Sequence, residues 1–341
     1  MTPTSFQRIS AFAGFCLFAG LANAGTYTFT DLGTLGEPYS DATAINNTGQ
    51  VAGTSFTSAL NSLNQHATLW SNGTITDLGT LGGTSSYASA INNTGQVAGS
   101  AETSGNAGYH ATLWSNGTTT DLGTLGGTES GAYGINNTGQ VAGFSNTSGN
   151  TAIHATLWSN GTTTDLGTLG GNYSYANAIN NTGQVAGVGY TSGNIAYHAT
   201  LWSNGTTTDL GTLGGNHSYA FAINSAGQVA GFADSSSQGR QATMWTLQNG
   251  TWVITNLNSL LDASTLAAGW DLQMATGIND NGWIVGDAYN SITLASDAFL
   301  LSTNISAVPE PETYAMLLVG LGLIGFIATR RKYTAENNSF A

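Results

Sequence analysis

Charged side chains are scarce in this chain, and basic ones are almost absent. Only 7% of its 341 residues are charged, against about 25% in ordinary globular proteins. Between Gly25 and Glu312 a single basic residue, Arg240, stands against seventeen acidic ones. Because phosphate binding needs clustered Lys and Arg, we expect no nucleic-acid partner. The acidic excess suits solubility and association with cations or basic partners.

The chain also has one cysteine, Cys16. It lies in an apolar leader, so the rest of the chain can form no disulfide and must be held by packing and strand pairing. A Gly-x-Ser-x-Gly elbow, a His-Glu-x-x-His zinc motif and a phosphate loop are all missing from the sequence. We therefore predict no catalytic residue, no metal site and no cofactor.

Residues 1–24 have the pattern of a secretory signal peptide. Arg8 precedes an apolar run over residues 11–22, and Ala22 and Ala24 supply the small residues that signal peptidase requires. We expect cleavage after Ala24. The alternative, an uncleaved membrane anchor, is disfavoured because the run is short for a membrane span.

A second apolar segment, residues 313–329, lies near the C-terminus. It is preceded by Val308-Pro309-Glu310-Pro311-Glu312 and followed by Arg330-Arg331-Lys332. A helix of this length reaches about 25 Å, close to the minimum for a bilayer. We predict a transmembrane helix whose basic tail stays in the cytoplasm and whose preceding body lies outside.

Residues 306–341 closely resemble a PEP-CTERM sorting signal, which joins Val-Pro-Glu-Pro, a short transmembrane helix and a basic tail. The resemblance implies that an exosortase, a membrane transpeptidase-like enzyme, recognises Pro309, Glu310 and Pro311. It also implies initial anchoring in the inner membrane with a periplasmic body, then sorting to the cell surface or an exopolysaccharide biofilm matrix. The tail after Lys332 is slightly longer than the family pattern. The alternative is a plain single-pass anchor.

The body, residues 25–305, repeats one motif six times. An Asp-Leu-Gly-Thr-Leu-Gly motif begins at five positions 44–46 residues apart, an Ile-Asn pair recurs six times, and His-Ala-Thr-Leu-Trp occurs four times before degrading. The first residues of these motifs are Asp31, Asp77, Asp121, Asp165 and Asp209; Ile45, Ile91, Ile135, Ile179, Ile223 and Ile278; and His66, His110, His154 and His198, with Gln241 and Asp297 in the last two copies.

Each copy is predicted to form four short antiparallel strands. In the second copy these cover residues 87–92, 96–100, 111–114 and 118–122. A tight turn at residues 92–95 and an Asn-Gly pair at Asn116 and Gly117 separate two of the strand pairs. Four strands every 44 residues are typical of a β-propeller blade.

We therefore predict an all-β fold, a six-bladed β-propeller of four-stranded blades. The body begins with an extra fourth-strand sequence, residues 26–32, and ends after a third strand, residues 298–301. In a closed ring the N-terminal strand would complete the sixth blade and leave no free edge. A β-solenoid or open array is the alternative. The repeats resemble the HAF-repeat family of extracellular proteins, which implies location and architecture but no activity.

Two repeated polar residues are candidates for metal binding. The four motif histidines could form a ring of ligands, but Gln241 and Asp297 replace them in two copies, so we favour bonding to a neighbouring turn. The repeated aspartates could bind Ca²⁺, but we favour hydrogen bonds from turn amides.

Other candidates lie in or beside loops that vary among copies. Tyr39, Tyr109, Tyr197 and Tyr219 could stack on sugar rings, and Arg240 could hold an anion. Alternatively, the tyrosines only cover blade edges. The insertion at residues 256–272 is predicted to cover the closure region.

These patterns predict a non-enzymatic, membrane-tethered scaffold displayed at the surface or in an exopolysaccharide matrix, where it binds glycan or a surface protein. Catalysis would require a unique set of residues, whereas these copies are nearly interchangeable. The carboxylates that a glycosidase would need, Glu37, Glu102 and Glu129, are scattered over different loops and form no obvious pair. The alternatives are a glycan-active propeller enzyme and a structural matrix protein without a ligand.

Overall fold

The computed structural model describes residues 29–57, 64–237 and 239–302. These residues contain twenty-three β-strands, one short α-helix and four 3-10 helices, and Asp31–Thr303 is one compact unit. The prediction of an all-β fold is confirmed.

Each sequence repeat forms one antiparallel sheet unit. The strands of the first three units are β1 (Gly36–Ile45), β2 (Val51–Thr57), β3 (Gln65–Ser71), β4 (Thr74–Asp77); β5 (Gly82–Ile91), β6 (Val97–Thr103), β7 (Tyr109–Ser115), β8 (Thr118–Asp121); β9 (Gly126–Ile135), β10 (Val141–Thr147), β11 (Ile153–Ser159) and β12 (Thr162–Gly167). Those of the last three are β13 (Gly170–Ile179), β14 (Val185–Thr191), β15 (Tyr197–Ser203), β16 (Thr206–Asp209); β17 (Gly214–Ile223), β18 (Val229–Ser235), β19 (Gly239–Gln248), β20 (Thr251–Asn256); β21 (Trp270–Ile278), β22 (Ile284–Asn290) and β23 (Ser296–Leu301).

Strand order within a unit follows chain order, as in β1-β2-β3-β4. The first strand of each unit packs against the first strand of the next, from β1 on β5 to β17 on β21, so the first strands are the inner ones. The third and fourth units join into one eight-stranded sheet through parallel pairing of Ile153 with Tyr173. This is a propeller-type arrangement of four-stranded blades.

The predicted turns are confirmed. Asn116 and Gly117 have φ values of 50° and 75°, and they form the two-residue loop between β7 and β8. Positive φ at both positions defines the hairpin turn that Asn-Gly favours. In the other turn Gly95 N–H donates to the carbonyl oxygen of Asn92 at 3.1 Å.

The core lies between successive units and consists of small residues. Between the first two units, Ala52 and Ala67 pack with Ala88, Val97 and Trp114, and both alanines are completely buried. Alanine faces let neighbouring sheets approach closely, while one tryptophan per interface fills the remaining space. The same set recurs at the next two interfaces.

A ladder of asparagine side chains links the inner strands at their turn ends. Asn92 Nδ2 donates to the Asn136 carbonyl oxygen at 3.0 Å, and its Oδ1 accepts from Thr94 N and Gln96 N. Nearly the same bond to the next unit is made by Asn46, Asn136, Asn180 and Asn224. These turns surround a polar cavity of about 340 Å³ to which all six units contribute.

The prediction of a closed six-bladed ring is wrong. Among the described residues, 29–32 form no strand, and the last sheet has only three strands, β21 to β23. In the same part of the chain the asparagine ladder ends at Asn279, with no return bond to Asn46. Within the described residues, the two terminal units have exposed apolar side chains on the faces that closure would bury. Ile45 is 70% exposed in the first, and Val285 and Leu300 are 47% and 57% exposed in the last.

Charge and local bonding explain why the closing strand does not form. In four units a histidine on the third strand pairs with an aspartate on the fourth. The last unit has Asp297 at the histidine position, so closure would set Asp31 against a second carboxylate, which is unfavourable. The segment also bonds to its own unit, where Trp70 Nε1 donates to the Gly33 oxygen at 3.2 Å.

The C-terminal helix prediction is not supported either. Within the described ranges, the helices are all too short or too polar to cross a bilayer. The only α-helix there is Ala263–Ala267, and residues 313–329 lie outside those ranges.

The insertion covers a different place from the one predicted. It contains a 3-10 helix, Leu257–Leu260, and the α-helix Ala263–Ala267, which Asp262 caps by accepting from Ser264 N and Thr265 N at 2.9 Å. Leu257 is buried in the core between the fifth and sixth units, not at a ring closure. The other 3-10 helices are Ser104–Asn106, Ser148–Asn150 and Ser192–Asn194.

Candidate functional site

The inner strands carry two positions at which the repeats differ, four and two residues before the repeated isoleucine. We call these the wall positions. From the first unit to the sixth they hold Asp41 and Thr43, Tyr87 and Ser89, Gly131 and Tyr133, Tyr175 and Asn177, Tyr219 and Phe221, and Met274 and Thr276. The residue between the two wall positions is alanine in every unit. Variation is thus confined to side chains that leave the packed interface unchanged.

The wall residues of the third to sixth units line a cavity of about 710 Å³, within the usual range for small-molecule sites. We call it the aromatic pocket. Its lining is Tyr133, Tyr175, Asn177, Val188, Tyr190, Tyr197, Tyr219, Phe221, Phe232, Arg240, Met274 and Thr276.

Contacts among the rings fix the floor of the aromatic pocket. The Tyr219 ring lies 4.6 Å from that of Phe221 and stacks at 9° on that of Phe232. Its hydroxyl donates to Asn177 Oδ1 at 3.3 Å, and Asn177 Nδ2 donates to the Ala220 carbonyl oxygen at 2.7 Å. These bonds set the amide orientation and tie the fourth unit to the fifth.

A glycine on each second strand holds the first wall position in place. A methyl group added at Gly231 would overlap the carbonyl oxygen of Tyr219, and one at Gly99 would overlap that of Tyr87. The wall residues lie beside a register shift, as between Ala220 and Ala222, which is the signature of a bulge that re-aims side chains.

Burial favours the neutral form of four tyrosine hydroxyls in the aromatic pocket. Burial raises the pKa of Tyr133 to about 12, although 42% of the residue's surface is exposed. Burial also raises the pKa values of Tyr175 and Tyr219. For Tyr197 burial raises the pKa, and the positive charge of Arg240 opposes the rise. The pocket therefore offers aromatic faces and neutral hydroxyls.

The structure brings three of the five predicted ligand residues together. Tyr197, Tyr219 and Arg240 all line the aromatic pocket. Tyr39 lies elsewhere, edge-on to Phe56 at 5.3 Å. Tyr109 packs 5.8 Å from Tyr87.

Sequence reasoning missed most of the pocket because it searched the loops. Tyr133, Tyr175, Phe221 and Phe232 lie on strands, where apolar residues are expected to be core. A signal was present: these positions vary between copies whose flanking residues are identical.

The repeated histidines and aspartates form pairs on the outer strands. His110 Nδ1 lies 2.9 Å from Asp121 Oδ2, and Asp121 Oδ1 accepts from Gly123 N at 2.8 Å. The fifth unit replaces this pair with amides, since Asn256 Nδ2 donates to Gln241 Oε1 at 3.2 Å. The aspartates accept from turn amides, as predicted. The histidines bond to these aspartates on the adjacent strand and not, as predicted, to a turn. Throughout the described ranges, no three His, Cys, Asp or Glu side chains cluster as a metal site would require.

Glu102, one of the scattered carboxylates, holds the start of β5 in place. It accepts from Thr84 Oγ1 at 2.7 Å and from Thr84 N and Ser85 N at 3.0 Å. The Thr84 hydroxyl is the main cause that lowers the pKa of Glu102, partly against its desolvation.

The targeting residues lie outside the described part of the chain: Ala22, Ala24, Pro309, Glu310, Pro311, Arg330, Arg331 and Lys332. The functions predicted for them, and the boundaries at residues 24 and 306, stay predictions.

Comparison with known proteins identifies one of these segments. Residues 307–332 match the PEP-CTERM protein-sorting motif. No curated protein matches the chain. Among solved structures, TolB from Acinetobacter baumannii is similar, with a TM-score of 0.40 and 16% identity over 63% of this chain. The chain spans 53% of that protein. The resemblance to HAF repeats stays a prediction. The sorting motif indicates an exported protein that an exosortase sorts to the surface or the extracellular space.

Proposed function

We propose that the body is a non-enzymatic scaffold that binds extracellular polysaccharide through the aromatic pocket. The observation that carries this proposal is the position of the variable residues. All six inner-strand copies share the alanine between the wall positions and the Ile-Asn pair, yet the wall positions differ, and those of four units face one cavity.

The chemistry of the lining favours a sugar ring. A pyranose has apolar C–H faces and hydroxyl edges, which match aromatic faces and neutral hydrogen-bonding groups. Tyr175, Tyr219 and Phe221 supply faces, and Asn177 supplies an amide held by two hydrogen bonds. A matrix location, implied by the resemblance to PEP-CTERM proteins, would supply such ligands.

The proposal is tested by glycan-array binding of the full chain and its Tyr175→Ala and Tyr219→Ala variants. We expect each substitution to weaken binding about 10-fold or more, because truncation removes a ring from the centre of the site. Tyr39→Ala is the matched control: it removes an exposed tyrosine outside the aromatic pocket and should bind as the parent does.

Three outcomes would count against the proposal. Equal loss in all three variants would indicate a general effect on folding, and binding unaffected by the pocket substitutions would place the ligand elsewhere. Release of shorter products from a bound glycan, abolished by Glu102→Gln or Glu129→Gln, would favour an enzyme instead.

A further inference from the structure

Arg240 is an isolated cation in an acidic body. Residues 29–302 contain fifteen Asp and Glu residues and this single Arg or Lys. Even so, in the part of the chain that the structure describes, Arg240 makes no ion pair; the ion pairs there are the four between His and Asp. Asp234 lies directly opposite Arg240 on the neighbouring strand, but it is not among the residues of those four pairs.

Three side chains position the guanidinium group: the Phe232 ring lies against it, and Met274 and the Tyr197 hydroxyl form hydrogen bonds with it. Its central carbon lies 4.0 Å from the centre of the Phe232 ring, and Nη1 lies 3.6 Å from Met274 Sδ. A guanidinium stacked on an aromatic face keeps its N–H groups in its own plane, where they match the two oxygens of a carboxylate. Arg240 also borders the aromatic pocket, whose twelve lining residues include no Asp or Glu.

We propose that the ligand of the aromatic pocket is an acidic sugar, a uronate whose carboxylate binds Arg240 while its ring lies against the tyrosines. This inference rests on the proposed function and makes it more specific. A single carboxylate bound at the edge of the aromatic pocket would contact Arg240, the one Arg or Lys of residues 29–302. A densely charged polyanion would also meet the field of the surrounding acidic residues, which repels it. The geometry therefore favours a polysaccharide with spaced uronate units.

The test uses matched pairs of probes that differ only in charge. Short oligomers of galacturonate, glucuronate and mannuronate, each with its methyl ester, are titrated calorimetrically into the full chain. We expect the acid of at least one pair to bind 10-fold or more tightly than its ester, the size expected for a hydrogen-bonded charge pair.

Variants of Arg240 assign the preference to this residue. Arg240→Gln should weaken acid binding about 10-fold more than ester binding, so that the preference disappears. Arg240→Lys should keep part of it, because lysine retains the charge but not the paired donors. Tyr219→Ala should weaken both members of the pair.

The outcomes separate the two proposals. If acid and ester bind equally, or neutral glycans bind through Tyr219 while no uronate binds, the uronate inference fails and glycan binding stands. If Arg240→Gln weakens both members equally, the arginine has only a packing role and the inference also fails. If no glycan, acidic or neutral, binds at all, the proposed function fails and the inference with it.

Discussion

The inner strands behave differently at their turn ends and at their middles. At the turn ends every unit has the same Ile-Asn pair, and the asparagines form one ladder. At the middles the wall positions range from glycine to tyrosine. The turn ends hold units together through backbone groups, so any change there disturbs a neighbour. The wall side chains of four units border a cavity, so they vary more freely than the turn residues, although Asn177 also bonds to the fifth unit.

The largest effect is expected at a glycine of the second strand that lies against a wall position. Gly231→Ala forces a methyl group onto the Tyr219 carbonyl oxygen, which should cost about 3 kcal/mol in the free energy of unfolding and also displace a pocket wall. Urea unfolding and glycan binding measure the two effects. Gly99→Ala makes the same overlap beside Tyr87, outside the aromatic pocket. Gly99→Ala should lower the free energy of unfolding as much as Gly231→Ala does and leave glycan binding intact. If Gly99→Ala weakens glycan binding equally, the effect on stability and the effect on the pocket wall cannot be separated.

A smaller effect should follow from cutting the ladder. Asn136→Ala leaves Thr138 N, Gln140 N and the Asn180 carbonyl oxygen without their partner, at about 2 kcal/mol. Thermal unfolding measures this loss. Asn137→Ala removes an exposed side chain that accepts only one bond, from Asn93 N, and should cost far less. Equal losses would mean that the ladder is not what links the units.

Alkaline pH should reduce the contribution of the wall tyrosine Tyr133 to the free energy of unfolding. It should leave the contribution of the asparagine ladder unchanged, because amides do not titrate. Because the pKa of Tyr133 is raised from about 10 to about 12, folding favours its protonated form. That stabilisation is complete below about pH 10 and is lost as the pH rises towards 12. Urea midpoints measured from pH 9 to 12 should therefore fall, and Tyr133→Phe should flatten the fall. An unchanged pH dependence in the variant would show that Tyr133 is not responsible.

The smallest effect is expected on the outer strands. His110→Gln combined with Asp121→Asn converts one unit to the amide pair found in the fifth. A partly exposed pair contributes little, so the free energy of unfolding should change by about 0.5 kcal/mol or less. Chemical denaturation tests this. Asp121→Ala is the comparison, and it should lower the free energy of unfolding more, because Gly123 N also loses its acceptor. A large loss in the double variant would show that the histidine–aspartate pairs contribute substantially to stability.

Local features of the fold could be predicted from the sequence because they are encoded locally. Asn116 and Gly117 favour a hairpin turn by their own backbone preferences. The repeat places the same Asn-Gly pair in the other four of the first five copies. Closure could not be predicted in this way, since it depends on whether two distant segments attract. Asp31 and Asp297 show that they do not, but only once the histidine–aspartate pairing of the other units is known.

The aromatic pocket was only partly predictable for a similar reason. Tyr197 and Tyr219 drew notice as aromatic residues beside variable loops. Phe221 and Met274 looked like core residues, because strand alternation does not reveal which face meets a neighbouring unit and which meets a cavity. The register shifts beside the wall positions, which set that direction, leave no simple mark in the sequence.

The exposed side chains of Ile45 and Leu300, on faces that closure would bury, have a consequence for how such a protein can change. Ring closure fixes the number of repeat units, whereas an array whose first and last units do not pair leaves that number free to change. Each interior interface uses nearly the same alanines, so a duplicated copy would find fitting neighbours wherever it was inserted. Recombination between the near-identical copies could thus lengthen or shorten the array and bring a new pair of wall residues to the cavity in one step.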